Sequence, residues 1–169
     1  MTVIATERLR LTRLSYDDCE FIFELVNEPS FKRFIGDKKV NNLDDARAYL
    51  RNGPIGSYAE FGFGLFLVSL QETGYPTGIS GLIKRDEFAD PDLGFAFLKR
   101  HRGRGYAFES SQAVLDFGLS ELGLQRIIAM ADPENERSTR LLRKLGMAYE
   151  SKVRMPGDDF DIDLYAIET

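Results

Sequence analysis

The stretch from residue 92 to 123 constrains the fold most, because a strand there runs into a long helix across a pair of glycines. Residues 92–99 read as a strand, and a helix follows from about Gly105 to Leu122. Within it Phe108, Leu115, Leu119 and Leu122 recur at spacings of seven, four and three, which keeps them on one face. Gly123 stands where a helix-terminating glycine belongs. A strand delivered directly into an amphipathic helix needs a sheet with helices packed on it.

The flanking sequence supplies the rest of such a sheet. Residues 6–13 alternate, with Leu9 and Leu11 on one side and Arg8, Arg10 and Thr12 on the other, as a half-buried strand does. Ser15 reads as an N-cap, with Asp17 and Asp18 in the first turn and Phe21, Ile22, Leu25 and Val26 forming the apolar stripe before Pro29. Residues 42–51 predict a second short helix stopped at Gly53-Pro54. Strands are expected at 61–70 and 77–84, around the turn-forming residues 72–76. After the long helix come a strand at Arg126–Ala131, a helix at 135–145 closed by Gly146, and strands at 148–154 and 159–167 around Pro156-Gly157-Asp158. The order β, two or three helices, β-β-β, α, β, α, β-β predicts one α/β (α+β) domain over residues 1–169, with a mixed sheet and no internal repeat or linker.

The junction itself, Arg100-His101-Arg102-Gly103-Arg104-Gly105-Tyr106-Ala107, has the composition of an anion site. Two glycines separated by one residue let backbone approach a ligand closely. The first amides of the helix lack internal partners and sit at the positive end of its dipole. Lys99, Arg100, Arg102 and Arg104 add cations with no intervening acid, although the chain as a whole carries a net charge of −5. A diphosphate suits these features. A Walker loop is excluded, since no Gly-Lys-Ser/Thr is present, and the dinucleotide fingerprint fails at Phe108. The other G-x-G, Gly62-Phe63-Gly64, lies within an aromatic strand reading, and Phe61, Phe63 and Phe66 are expected in the core. On these residues alone, a basic turn with capping glycines and no ligand stays open.

The acidic balance argues against nucleic-acid binding. No apolar run reaches the roughly 20 residues of a membrane span, and the start lacks a signal-peptide layout. One cysteine, Cys19, forms no internal disulfide, and one histidine with one cysteine at unrelated positions gives no metal site. A cytoplasmic protein is the resulting expectation, with monomer and homodimer both open.

Arg100-His101-Arg102-Gly103-Arg104-Gly105 matches R/Q-x-x-G-x-G/A, the CoA pyrophosphate signature of the GNAT superfamily of N-acetyltransferases. Gly103-Arg104-Gly105-Tyr106-Ala107-Phe108-Glu109 resembles the G-x-G-Y-A-x-E run of its RimJ/RimL-type subfamily, which acetylates protein N-termini. Thr6-Glu7-Arg8-Leu9-Arg10-Leu11 resembles that group's opening strand. Asn135-Glu136-Arg137-Ser138 followed by Leu145-Gly146-Met147 is similar to its N-x-x-S…K-L-G-F box. The resemblance covers nearly the whole chain. It implies a mostly antiparallel sheet splayed into a V between the strands at 92–99 and 126–131, with helices on both faces and acetyl-CoA as co-substrate. Backbone groups of Phe97 and Leu98 would hold the pantetheine arm. Arg100, Arg102, Tyr106 and the amides near Gly103, Arg104 and Gly105 would hold the pyrophosphate.

The same resemblance suggests roles for single residues. Asn135, an apt N-cap, would also bond the pantetheine arm, and Ser138 would stand near the CoA sulfur as a proton donor. Many family members carry a tyrosine for that purpose four residues beyond the serine position, where this chain has Leu142. Asp92 occupies a position usually held by glutamate and is a candidate general base, against a plain strand-end role. His101 is expected at the phosphate edge, and Cys19 is read as filler. Asp159, Asp161 and Asp163 form either a solvated face or an acidic wall for a cationic acceptor. The expected function is acetyl transfer to a primary amine, with a protein or peptide N-terminus favoured. A small-molecule amine acetyltransferase acting on a polyamine or antibiotic, or a non-catalytic acyl-CoA-binding module, remains as an alternative.

Overall fold

A computed structural model describes residues 3–169. Its centre is an eight-stranded sheet of β1 (Val3–Ala5), β2 (Leu9–Arg13), β3 (Leu65–Leu70), β4 (Pro76–Ile83), β5 (Asp92–Phe97), β6 (Arg126–Ala131), β7 (Ala148–Val153) and β8 (Ile162–Glu168). The spatial order is β1-β2-β3-β4-β5-β6-β8-β7. Every neighbouring pair is antiparallel except β5 and β6. That parallel pair shares a single registered position, Asp92 opposite Ile128, with the Ile128 amide donating to the Pro91 carbonyl at 3.0 Å. Beyond it the two half-sheets diverge, which is the splayed V expected from the resemblance.

Helices cover both faces. Between β2 and β3 lie α1 (Cys19–Val26), α2 (Pro29–Phe34), α3 (Leu43–Leu50) and α4 (Gly56–Phe61). They bury Ile22, Leu25, Ala46 and Leu50 against Leu65, Ile79 and Leu98 of the sheet. On the other face α5 (Tyr106–Asp116) and α6 (Glu136–Lys144) pack Val114, Leu115 and Leu142 against Val68, Leu82, Ile127 and Ala129. Strand alternation assigns the faces: on β4, Ile79 turns to the α1–α3 side and Leu82 to the α5 side. Each such leucine, taken fully out of water, stabilises the fold by about 1.5–3 kcal/mol before the entropy of ordering is counted.

Several boundaries differ from the sequence reading for local reasons. Thr6–Arg8 is not strand but a turn, in which Thr6 and Leu9 exchange hydrogen bonds, and it allows β1 to fold back on β2. Gly53-Pro54 does not end α3. A wider π-type turn at Arg51–Ile55 accommodates the proline, and the chain continues into α4. Phe61 therefore ends a helix, with Gly62 as its left-handed cap at φ 80°, and is 39% exposed rather than core. Pro29 does not merely close α1 but opens α2 at its first position. Ser15 does cap, through a reciprocal box with Asp18.

Candidate active site

One cavity of about 820 Å³ runs through the gap between β5 and β6, within the range of small-molecule sites. On the α5–α6 side it is lined by Gly103, Gly105, Tyr106, Asn135 and Ser138. Beyond the strands it reaches Lys38, Tyr49, Arg85 and Asp92 on the α1–α3 side. The face assignment follows from β5, where Ala96 packs with the α1–α3 cluster and Asp92 stands four residues earlier on the same side.

At the turn, Gly103 and Gly105 have φ of 77° and 84°, left-handed values that favour glycine. Gly105 is the residue before α5, so its side-chain-free backbone presents the helix start to the cavity. Glu109, one turn into the helix, braces this junction. Its carboxylate accepts from Thr6 Oγ1 at 2.6 Å, from the Arg8 amide at 2.9 Å and from Arg8 Nε at 2.8 Å. The Arg8 guanidinium in turn donates to the Arg104 carbonyl at 2.8 Å and lies over the Tyr106 ring. Burial pushes the Glu109 carboxyl up, but the bonds from Thr6 and Arg8 outweigh it and hold the pKa below the usual glutamate value.

The cations of the turn are placed differently from the sequence expectation. Arg100 pairs with Glu24 of α1 at 2.6 Å and is absent from the cavity lining. Arg102 lines the cavity but spends its guanidinium on the Phe97 carbonyl at 2.9 Å and Ser30 Oγ at 2.7 Å. A charge beside an acid of opposite sign is drawn to it, so Arg100 fastens the turn to α1 instead of facing an anion. Arg104 contributes its carbonyl to the Arg8 brace and also stays outside the lining. The cations that do line this side are Arg137, Arg140 and Lys144 of α6, which sequence reasoning missed. Their spacing of three and four puts them on one helical face, a signal present in the sequence but set aside for the leucines beside it.

Along β5 the Leu98 amide donates to the Thr77 carbonyl at 3.0 Å, toward β4, and Leu98 is fully buried outside the lining. Its backbone is thus committed to the sheet. By alternation the Phe97 amide turns the other way, into the gap.

Asn135 caps α6: its Oδ1 accepts from the Ser138 amide at 3.3 Å, and its Nδ2 donates to Ser138 Oγ at 3.0 Å. With its oxygen accepting from Asn135, the Ser138 hydroxyl keeps its proton free to donate. Leu142 is buried in the core and takes no part in the lining. His101 lines the cavity, and burial, with help from Arg100 and Arg104, pushes its pKa down, which favours the neutral ring. Cys19 is half-buried beside the α1–α3 cluster.

Asp92 is 3% exposed and accepts from Arg85 Nε at 2.9 Å. Burial raises its pKa, and the Arg85 charge and hydrogen bond oppose that rise. The acidic face is less free than its sequence suggests: Asp161 pairs with Arg154 at 2.9 Å and Asp163 with Lys152 at 2.8 Å. Neither of those two acids lines the cavity; Asp158 of the same connection does. Among the described residues no cluster of His, Cys, Asp or Glu is placed to hold a metal, and no helix is long and apolar enough to cross a membrane.

Comparison with known proteins agrees with this architecture. Residues 8–148 match the family model described as the acetyltransferase (GNAT) domain. The uncharacterised N-acetyltransferase YnaD of Bacillus subtilis (strain 168) is 30% identical over 147 residues, spanning 87% of this chain and 83% of that protein. A GNAT-family acetyltransferase from Bacillus anthracis superposes with a TM-score of 0.82 at 28% identity, over 99% of this chain and 98% of that one. RimL, a ribosomal L7/L12 α-N-protein acetyltransferase solved with coenzyme A, shares the fold at a TM-score of 0.84 and 16% identity, over 99% of this chain and 98% of that one. The chain therefore belongs to the GNAT acetyltransferase family and is an acetyl-CoA-dependent N-acetyltransferase.

Proposed function

We propose that acetyl-CoA lies in the gap between β5 and β6 and that its acetyl group passes directly to a primary amine, the N-terminus of a protein or peptide being the favoured acceptor. The observation that carries this reading is the continuity of the cavity. It joins the glycine turn and Ser138 on one side of the sheet to Asp92 on the other. The pyrophosphate would rest on the amides after Gly103, within the field of Arg137 and Arg140. The Phe97 amide, turned into the gap, supports the pantetheine arm or the thioester carbonyl.

In the transfer, Asp92 draws a proton from the acceptor ammonium through water, and the free amine attacks the thioester carbon. The C–N bond forms as the C–S bond breaks, the Ser138 hydroxyl supplies a proton to the departing thiolate, and the proton that the new amide nitrogen loses returns through water to the Ser138 oxygen. Its proton is the one not engaged by Asn135. No covalent enzyme intermediate is required.

Ser138→Ala tests this reading. With acetyl-CoA and a peptide panel, kcat should fall about ten- to a hundredfold while the acetyl-CoA KM stays near its original value. A variant with unchanged kcat, measured where chemistry limits the rate, removes Ser138 from the mechanism.

A further inference from the structure

At the far end of the cavity three hydrogen-bond donors converge without protein acceptors. Arg85, just after β4, uses only Nε on Asp92, and its two terminal nitrogens bond no group among the described residues. Lys38, in the connection between α2 and α3, has no acid within ion-pair distance among those residues. Tyr49 of α3 donates its hydroxyl to none of them either. Lys38 is exposed, yet partial desolvation and the Arg85 charge lower its ammonium, and burial raises the Tyr49 phenol while Arg85 opposes it, so the Arg85 charge reaches both. The acids that line the cavity are Asp92, already bonded to Arg85, Asp132, just after β6, and Asp158, which is exposed. Of the carboxylates that follow Asp158, Asp161 and Asp163 are paired with Arg154 and Lys152, and Asp159 is exposed outside the lining.

An acceptor with several amines would carry its second positive charge toward Lys38 and the free fork of Arg85, where like charges repel. An acceptor with a carboxylate near the amine would instead meet a guanidinium fork, an ammonium and a phenol, a donor set suited to that group. Asp92 and Arg85 lie side by side, so a proton acceptor for the amine and a cradle for the neighbouring acid are adjacent.

We infer that the acceptor carries a carboxylate a few bonds from its reacting amine, bound by Lys38, Tyr49 and the terminal nitrogens of Arg85. This rests on the acetyl-transfer reading above and narrows it to acceptors such as a peptide beginning with glutamate or aspartate, or a free acidic amino acid. Polyamines are disfavoured.

The test compares matched acceptors on the full chain with acetyl-CoA, following thiol release. Peptides beginning with glutamate, glutamine and lysine form one arm, and free glutamate with glutamine α-amide, which has neither carboxylate, forms the other, which separates the two sources of carboxylate. The glutamate member should show a kcat/KM at least about tenfold above its neutral partner, with the advantage shrinking as salt rises. Lys38→Gln should remove most of that preference, and Lys38→Glu should invert it, with the acetyl-CoA KM unchanged. Arg85→Lys, which keeps the charge beside Asp92, should raise the KM for the glutamate acceptor. Independently of turnover, N-acetylglutamate should bind the CoA-loaded protein more tightly than N-acetylglutamine α-amide by calorimetry. Equal or better use of the neutral or cationic acceptor overturns the inference and leaves acetyl transfer standing. CoA binding with no amine acetylated, and no preference between the acetylated products, overturns both.

Discussion

At the turn end of the cavity Arg8, Arg100 and Arg102 all have protein partners, whereas at the proposed acceptor end Lys38 and the terminal nitrogens of Arg85 have none among the described residues. The turn end is braced from three directions: by the turn before β2 through Arg8 and Glu109, by α1 through Glu24, and by β5 through the Phe97 carbonyl. The acceptor end is bordered by connections, with Ile35 and Phe160 about half exposed. A chain that binds one invariant co-substrate gains from fixing the groups around it in advance, since ordering them on binding costs affinity. Groups that meet a particular acceptor keep their hydrogen-bonding capacity for it. On the proposed reading, the two ends separate what a GNAT enzyme shares with its family from what sets its own acceptor.

Gly105→Val strikes the braced end hardest. It forces a β-branched residue into φ 84° and sets a Cβ 3.2 Å from an Arg8 terminal nitrogen. Acetyl-CoA affinity should fall at least about tenfold, roughly 1.4 kcal/mol, by titration calorimetry, with acceptor KM little changed. Comparable loss at both ends would mean the two are not separable, and unchanged affinity in a folded variant would remove the turn from the binding site.

Glu109→Gln should have a smaller effect, raising the acetyl-CoA Kd by about threefold, because the Arg8 brace loses its charge but keeps part of its geometry. Its pH dependence has a definite sign. The folded-state pKa of Glu109 lies below the ordinary glutamate value of 4.5, so the stability it contributes is present above that value and is lost as pH falls through the lower folded pKa. Acid melts of wild type and Glu109→Gln should therefore diverge above about pH 4.5 and converge below it. Parallel curves across that window would show the carboxylate to be dispensable.

The smallest effect is expected from Asp161→Asn with Asp163→Asn. Their carboxylates already answer Arg154 and Lys152, whose side chains are more than half exposed, and such surface pairs contribute about 0–1 kcal/mol. Acceptor KM should move less than about twofold for any charge of acceptor. A larger rise for cationic acceptors alone would restore the acidic wall and count against the role of Lys38.

Much of the fold was legible because burial imposes periodicity. Leu9 and Leu11, the stripe of α5, and the caps at Ser15 and Asn135 all announce their structures locally. Helix continuity through Pro54 was not legible, since a wide turn that tolerates proline leaves no mark in composition. The glycine turn was readable as a strand-to-helix junction from Gly103 and Gly105, yet the fates of Arg100 and Arg102 were not. Their partners, Glu24 and Ser30, lie some seventy residues away, and only the packed sheet brings them within reach. Lys38, Tyr49 and Arg85 escaped notice for the same reason: each sits in an unremarkable stretch, and their meaning lies in convergence.

The single rung between β5 and β6 gives the molecule a built-in compliance. Eight strands are nominally one sheet, but the half carrying β1–β5 and the half carrying β6–β8 are hinged at Asp92 and Ile128. A ligand wedged into the gap supplies the hydrogen bonds that a continuous sheet would have made there, so it acts as a missing piece of scaffold as well as a reactant. Saturating acetyl-CoA at about a hundred times its Kd adds roughly 2.7 kcal/mol to the stability of the whole domain. That gain should be felt most at the hinge, as slowed amide exchange along the facing edges of β5 and β6, where the two halves otherwise share one rung and depend on the common core under α5 and α6.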